Sequence, residues 1–194
     1  MGFDYTSKTE ADIEFGVVLG NEKIVFIKAG LGGNYMGYDE KYLKIARRLN
    51  EKYGCSVISV SNPQEPKSQT DIDKGIIEEY VRTNNIDAPT VFFFGHSNGG
   101  IKGLELSWAG IKFKSMVLSN MPLMINIHKT LKYIAASEDT AITAVYGQYD
   151  PSFPYIPFIR NKFNNLKIVT VPSADHHFKG LTDEFIGLSD LLMS

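Results

Sequence analysis

The sequence predicts an α/β fold in which a mainly parallel β-sheet carries helices on both faces. Short apolar segments alternate with segments of helical spacing, at the rhythm of strand–helix–strand crossovers. One of these strands runs directly into a glycine-flanked turn and then into a helix. Four candidate functional residues each follow a predicted strand: Gly30, Ser97, Asp150 and His176. A parallel sheet would bring them together at the edge where its strands end.

The first half of the chain is predicted to hold three strands and two helices. Residues 1–10 are polar and are expected to be loose. Alternating apolar and polar residues over 13–19 predict a strand with one wet face, and Gly20-Asn21 predicts a two-residue hairpin turn into a return strand over 23–28. A buried strand over 56–60 is flanked by segments with apolar residues at helical spacing, which predict helices over 39–53 and 70–84.

The second half continues the alternation. The apolar run 91–94, with three phenylalanines, predicts the central strand, and a helix follows it. Apolar residues at helical spacing predict a helical piece after Pro122. Further strands are predicted over 115–118, 141–146 and 167–171, with a short helix within 153–163 and a closing amphipathic helix over 181–193.

The turn after the central strand reads Gly95-His96-Ser97-Asn98-Gly99, a G-x-S-x-G pattern. Between a strand and a helix, this pattern is typical of a nucleophile elbow, which holds a serine in a strained backbone conformation. The glycines are needed because a side chain two residues from the serine would collide with the neighbouring strand or helix. Ser97 is therefore the candidate nucleophile.

A serine nucleophile needs a base, and the base needs an acceptor that fixes its tautomer. His176 or His177 follows the last predicted strand, and Asp150 follows the strand before it. Asp139 precedes its strand and would lie at the wrong edge, whereas Asp175 adjoins the histidines and favours a turn. These positions make Asp150 the predicted acid.

An acyl-transfer site also needs two fixed N–H donors for the developing oxyanion. The amide of Asn98, directly after the serine, is one candidate. The second is expected from the glycine loop 29–33, most simply from Leu31. This loop lacks the Lys-Ser/Thr of a nucleotide-binding loop and the G-x-G-x-x-G of a dinucleotide site, so we do not interpret it as a phosphate cradle.

Three motifs resemble those of small α/β-hydrolase-fold serine hydrolases: Gly-His-Ser-Asn-Gly-Gly at 95–100, Gly-Gln-Tyr-Asp-Pro at 147–151 and Ser-Ala-Asp-His-His-Phe at 173–178. Their order, Ser then Asp then His, is that of the family. The resemblance covers nearly the whole chain and implies a single-domain α/β-hydrolase fold over 1–194, with a minimal lid, the short segment 121–139. It favours His176 over His177 as the base. The sequence departs from the family in two ways: the short chain is expected to lack the family's first strand or two, and Ala29-Gly30 stands where the family usually has His-Gly.

Several nearby residues have ordinary structural interpretations. His96 is expected to pack beside the strand ends rather than to catalyse. Met121, Leu123 and Met124, just past a strand end, are predicted to form an apolar substrate-binding wall. Two interpretations, lining of an acyl pocket and packing in the core, explain equally well a group of four aromatic residues: Tyr149, Phe153, Tyr155 and Phe158. The His176-His177 pair lacks further ligands at suitable spacing, so we expect no metal, and no cofactor is indicated.

Composition narrows the partners and the compartment. A net charge of −2 gives no sign of nucleic acid or an anionic membrane as a partner. Cys55 is the only cysteine, which rules out an internal disulfide and suits a reducing compartment. Residues 1–6 lack the basic start and apolar run of a secretory signal, so a cytoplasmic location is expected. The oligomeric state is left open.

Together these features predict a serine hydrolase that cleaves carboxylic or thio esters of a small acyl substrate. A peptidase or an acyltransferase could use the same triad. A non-catalytic member of the fold that binds a small ligand or a protein is the remaining alternative, and an intact triad argues against it.

Overall fold

The computed structural model describes residues 2–64 and 69–194, and within them eight strands form one sheet in the order β1-β2-β4-β3-β5-β6-β7-β8. The six strands from β3 to β8 pair in parallel, while β1 and β2 join one edge antiparallel. The strands are β1 (Tyr5–Lys8), β2 (Glu14–Val18), β3 (Asn21–Lys28), β4 (Cys55–Val60), β5 (Thr90–His96), β6 (Phe113–Ser119), β7 (Ala141–Gly147) and β8 (Leu166–Val171). The predicted mainly parallel sheet is therefore confirmed.

Helices cover both faces of the sheet. They are α1 (Lys41–Tyr53), α2 (Gln69–Thr83), α3 (Asn98–Trp108), α4 (Ile127–Ala136) and α5 (Thr182–Gly187), with 3-10 turns at Tyr38–Glu40, Phe153–Phe158 and Leu188–Met193. Apolar side chains of α2, α3 and α4 join one buried cluster, and those of α1 and α5 join another on the opposite face. Burial of these two faces supplies the main driving force for the fold.

The N-terminal residues differ from expectation. The segment 1–10 was predicted to be loose, but Tyr5–Lys8 forms β1, which pairs with β2 from Tyr5↔Val17 to Lys8↔Glu14. All four residues of β1 are exposed, so the strand leaves no alternation of apolar and polar residues in the sequence. The expected absence of the first strand or two is also wrong, because β1 and β2 both precede β3.

The predicted hairpin at Gly20-Asn21 is wrong as well, because β4 lies between β2 and β3. The turn instead carries the chain past the start of β4: a Cβ on Gly20 would lie 2.4 Å from the Cys55 carbonyl carbon, and the Asn21 amide donates to the Gly54 carbonyl. A turn dipeptide reports only a change of direction. Which strands then pair depends on β3, because both of its edges are taken by parallel partners, β4 and β5.

Helix α1 begins at Lys41, two residues later than predicted. Asp39 and Glu40 have positive φ angles of 52° and 54°, a left-handed conformation that α-helices do not continue through. The shift matters because Lys41 becomes the first residue of the helix, beside the strand ends.

The register brings the predicted site together. Lys28 at the end of β3 lies opposite Gly95 near the end of β5, and His96 lies opposite Ser119 at the end of β6. The carboxyl ends of β3, β5, β6, β7 and β8 therefore share one edge. In the lid-like segment 121–139, helix α4 packs against α3. No helix among the described residues is long and apolar enough to span a bilayer.

Candidate active site

Ser97 occupies a sharp turn between β5 and α3. Its φ of 55° and ψ of −127° are unusual for a residue with a side chain, and such strain is concentrated at functional sites. The turn is possible because two glycines admit close backbone contacts: a Cβ on Gly95 would lie 2.7 Å from the Gly100 nitrogen, and one on Gly99 would lie 2.2 Å from the Lys28 carbonyl oxygen. The predicted strand–turn–helix context of Ser97 is thus present.

The structure brings Ser97, His176 and Asp150 into one hydrogen-bonded chain. Nε2 of His176 lies 2.9 Å from Oγ of Ser97, and Nδ1 of His176 lies 2.5 Å from Oδ2 of Asp150. The Asp150 side chain is fully buried, and its Oδ1 accepts from the Ser152 amide. With Nδ1–H donating to the carboxylate, Nε2 is free to accept the serine proton.

The alternative residues lie elsewhere. The Asp175 carboxylate accepts from the backbone amides of His177 and Lys179, and these hydrogen bonds, the one from Lys179 first, lower the pKa of Asp175. His177 is exposed, and its ring stands edge-on to that of His176. Asp139 is exposed before β7, at the opposite end of that strand from Asp150. The geometry therefore favours His176 and Asp150.

His96 is buried beside the triad and braces the histidine loop. Its Nε2 donates to the His176 carbonyl over 2.9 Å, so in the neutral ring Nδ1 is an acceptor, 3.4 Å from the Tyr42 hydroxyl. Burial, followed by the nearby Lys41 ammonium, lowers the pKa of His96 to about 3. His96 is therefore neutral at neutral pH, and its two ring nitrogens bond Tyr42 and the His176 backbone.

Asn120, which the sequence analysis did not single out, clamps three strand ends. Its Nδ2 donates to the carbonyls of Asp175 and His176, both at 3.0 Å, and its Oδ1 accepts from the Gly147 amide at 2.8 Å. One buried side chain at the end of β6 thus fixes the loops that carry His176 and Asp150. Its position just past a strand end is the one signal that could have identified it.

Asn62 plays the corresponding part on the other side of Ser97, and it too was missed. Its backbone exchanges hydrogen bonds with the glycine loop, from the Gly32 amide to its carbonyl and from its own amide to the Gly33 carbonyl. Its Nδ2 donates to the Ala29 carbonyl at 2.9 Å and to Oδ1 of Asn98 at 3.1 Å. One residue therefore ties the glycine loop to the residue that follows the nucleophile.

A fully buried ion pair lies behind this loop. Nζ of Lys28 donates to Oδ1 of Asp73 at 2.7 Å and to the Ser61 carbonyl at 2.9 Å. Burial lowers the pKa of Lys28 and raises that of Asp73, while their mutual attraction opposes both shifts. The pair joins the last residue of β3 to α2 and to the residue before Asn62.

The predicted oxyanion donors lie on the two sides of the serine. Asn98 begins α3, so its amide has no partner within the helix. Leu31 is exposed and lines the cleft together with Ser97 and His176. Its neighbour Gly30 is so close to Ser97 that a Cβ there would lie 3.3 Å from the Ser97 Cβ. This placement suits both predicted donors.

Only one of the three residues of the predicted apolar wall is exposed. Met121 and Leu123 are completely buried in the core cluster, so they offer no surface to a ligand in this conformation, while Met124 is half exposed. The aromatic group is divided too: Phe153 packs against the core, whereas Tyr149 and the adjoining pair Tyr155 and Phe158 expose much of their rings. A cleft of about 570 Å³ opens at Ser97 between the glycine loop, the start of α1 and the histidine loop.

Known proteins identify the fold. Neither a family model nor a curated protein matches the sequence. Among solved structures, the chain is similar to ATU1826 from Agrobacterium tumefaciens, a protein of unknown function (TM-score 0.77, 15% identity, 97% of this chain and 94% of that chain). It is similar to XC6422 from Xanthomonas campestris, described as an α/β serine hydrolase without a lid (0.70, 16%, 96% and 91%).

Est1E from Butyrivibrio proteoclasticus is a third similar structure (TM-score 0.70, 13% identity, 97% of this chain and 96% of that chain). At such identities the likeness establishes the architecture alone. The chain has the α/β-hydrolase fold with a minimal lid, as the sequence predicted.

Proposed function

We propose that the protein is a serine hydrolase that cleaves carboxylic or thio esters of a small acyl substrate through an acyl-enzyme. The observation that carries this proposal is the hydrogen-bonded chain from Ser97 through His176 to Asp150, with Ser97 on a strained elbow. The description of XC6422 as a serine hydrolase supports the same reaction class.

In the first half-reaction, Oγ of Ser97 attacks the acyl carbonyl carbon while its proton passes to Nε2 of His176. The carbonyl oxygen becomes an oxyanion, and we assign its stabilisation to the amides of Asn98 and Leu31. Asp150 holds the imidazolium in place. When the tetrahedral species collapses, the bond to the alcohol or thiol breaks, and the leaving group takes the proton from His176.

In the second half-reaction, water attacks the acyl-Ser97 ester. His176 accepts a proton from the water, and a second oxyanion forms at the same two amides. Collapse releases the carboxylic acid, and the proton on Nε2 returns to Oγ of Ser97. The resting hydrogen bonds are then restored.

Steady-state hydrolysis of p-nitrophenyl butyrate and its thioester analogue tests the proposal, beside Ser97→Ala and a Ser107→Ala control at the far end of the same helix. Turnover that is lost in Ser97→Ala and kept in Ser107→Ala is expected. Activity that survives in Ser97→Ala would contradict the proposed nucleophile. Cleavage of peptides but not esters, or faster acyl transfer to added alcohols than to water, would instead favour the peptidase or acyltransferase alternative.

A further inference from the structure

Lys41, the first residue of α1, lies at the edge of the cleft that opens at Ser97. It lines the cleft together with the glycine loop, His176 and His177. Its Nζ lies 4.4 Å from the centroid of the Phe185 ring and 5.3 Å from that of Tyr42. Its charge therefore lies against two buried aromatic rings, and one of these residues, Tyr42, also lines the cleft.

The other cations of α1 are paired. Lys44 pairs with Asp39, Arg47 with Asp4, and Arg48 and Lys52 share Asp190. Lys41 makes no ion pair within residues 2–64 and 69–194. Of the five basic residues on this helix, the one that lines the cleft is thus the one without a carboxylate partner among the described residues.

The carboxylates near the cleft are engaged elsewhere. Asp150 is occupied by His176 and the Ser152 amide, and Asp175 by two amides of its own turn. Glu40 lies along a different groove, beside Leu43 and Arg47. Among the described residues that line the cleft there is no Asp or Glu. The local charge of the cleft is therefore positive, although the whole chain carries −2.

A half-buried ammonium without a counter-ion is unfavourable, because water is partly removed and nothing replaces its solvation. Cation–π contacts recover only part of that loss. Burial lowers the pKa of Lys41 to about 8, so the side chain still carries a positive charge at neutral pH. An anion in the cleft would complete the solvation of this ammonium.

We propose that Lys41 binds a carboxylate group carried by the substrate that Ser97 attacks, so that the preferred substrates are anionic esters. A single ammonium matches one negative charge, which favours a carboxylate over a doubly charged phosphate. The assignment rests on the proposed hydrolase function, because it names the substrate class of that same site. It makes Lys41 a specificity-determining residue and leaves the triad chemistry unchanged.

Two matched substrate pairs test the proposal: p-nitrophenyl hexanoate against mono-p-nitrophenyl adipate, and phenyl acetate against 4-acetoxybenzoate. The measured quantity is the ratio of kcat/KM for the anionic ester to that for the neutral ester. The intrinsic reactivities of the two esters cancel when this ratio is compared between variants. Lys41→Gln is expected to lower the ratio about tenfold for at least one pair, because charge-assisted hydrogen bonds are the stronger ones. Lys41→Arg should retain most of it.

Lys44→Gln is the control, since it removes the same charge from the same helix outside the cleft. Lys41→Met, which keeps an apolar stem over Phe185, replaces Gln if that variant unfolds. Ratios that fall no further in the Lys41 variants than in Lys44→Gln, for both pairs, would overturn the proposal and leave Lys41 as a packing residue.

A binding measurement separates failure of this site from failure of the hydrolase function. Calorimetric titration of Ser97→Ala protein with 4-acetoxybenzoate requires no turnover. Weaker binding by the double variant Ser97→Ala/Lys41→Gln than by Ser97→Ala supports the carboxylate site, even if the wild-type protein hydrolyses no ester. Equal binding with and without Lys41, or no measurable binding by either protein, would overturn it.

Discussion

The two sides of Ser97 are held in different ways. On the histidine side, both carboxylate oxygens of Asp150 and both ring nitrogens of His176 have partners, and the His176 carbonyl accepts from His96 and Asn120. On the glycine-loop side, Val60 and Tyr42 each hydrogen-bond one residue of the loop, and the link to Asn98 runs through Asn62. Its own Oδ1, and Oδ2 of Asp73 behind it, lack hydrogen-bond partners among the described residues.

This difference corresponds to a division of labour. Proton transfer needs the same geometry for every substrate, so the complete set of hydrogen bonds on Asp150 and His176 suits the histidine side. The glycine-loop side carries the exposed side chains of Leu31 and Tyr38 and the unpaired ammonium of Lys41. In our account the first side sets the rate of the chemistry, and the second side contributes an oxyanion donor and selects the substrate.

The largest effect is expected from breaking the histidine side at Asp150. Asp150→Asn keeps the shape but no longer stabilises the imidazolium or the required tautomer, so kcat for p-nitrophenyl butyrate should fall about 10⁴-fold. Steady-state rates would measure kcat, and circular dichroism would check that the variant is folded. A properly folded variant with near wild-type kcat would mean that another group serves as the acid.

A smaller loss is expected at the Asn120 clamp. Glycine at position 120 tolerates the positive φ of 48°, but Asn120→Gly removes one hydrogen bond from each of the two histidine-loop carbonyls, so kcat should fall about 100-fold through misplacement of His176. The lost bond to Gly147 should also lower the free energy of unfolding by about 1–3 kcal/mol.

Asn165 provides a matched control for that clamp. Its Nδ2 also donates to two carbonyls, those of Ser137 and Thr140, at the other end of β7. Asn165→Ala should therefore lower stability in urea titrations without changing kcat. Equal loss of kcat in both variants would indicate that general destabilisation, and not positioning of His176, causes the effect.

Loosening the glycine-loop side should lower kcat by a smaller factor. Asn62→Ala removes the side-chain tie between Ala29 and Asn98, so the two oxyanion amides are held less accurately, and kcat for a neutral ester should fall about 10- to 50-fold. The pH dependence of kcat should stay that of the wild type, because the His176–Asp150 pair is untouched. A shifted pH profile would show that the two sides are coupled.

The smallest effect concerns pH and His96. Since burial lowers the folded-state pKa of His96 to about 3 while the unfolded value is about 6.5, the unfolded chain binds the extra proton, and stability falls as pH drops below 6.5. By pH 5.5 the free energy of unfolding should have fallen by about 1 kcal/mol for this reason. His96→Gln, which can still donate to the His176 carbonyl, should show a correspondingly smaller loss between pH 7.5 and 5.5 in urea unfolding. An unchanged loss would contradict the neutral buried state of His96.

The sequence predicted the sheet and the triad because both leave local patterns. Ser97 lies in a glycine pattern bounded by a strand and a helix, and Asp150 and His176 each follow a strand end. Asn62 and Asn120 lack such patterns, since their partners are distant in sequence: Asn120 contacts residues 55 and 56 positions away. The order of β2, β4 and β3 was missed for the same reason, because pairing depends on long-range burial and not on the turn.

The most direct test of the central claim is whether Ser97 is an activated nucleophile. Purified protein is treated with a fluorophosphonate probe beside Ser97→Ala, and the modified peptide is identified by mass spectrometry. We predict a single phosphonylated residue, Ser97, with no labelling of the variant. Absence of labelling of the folded wild-type protein, or labelling that persists in Ser97→Ala, would contradict the account.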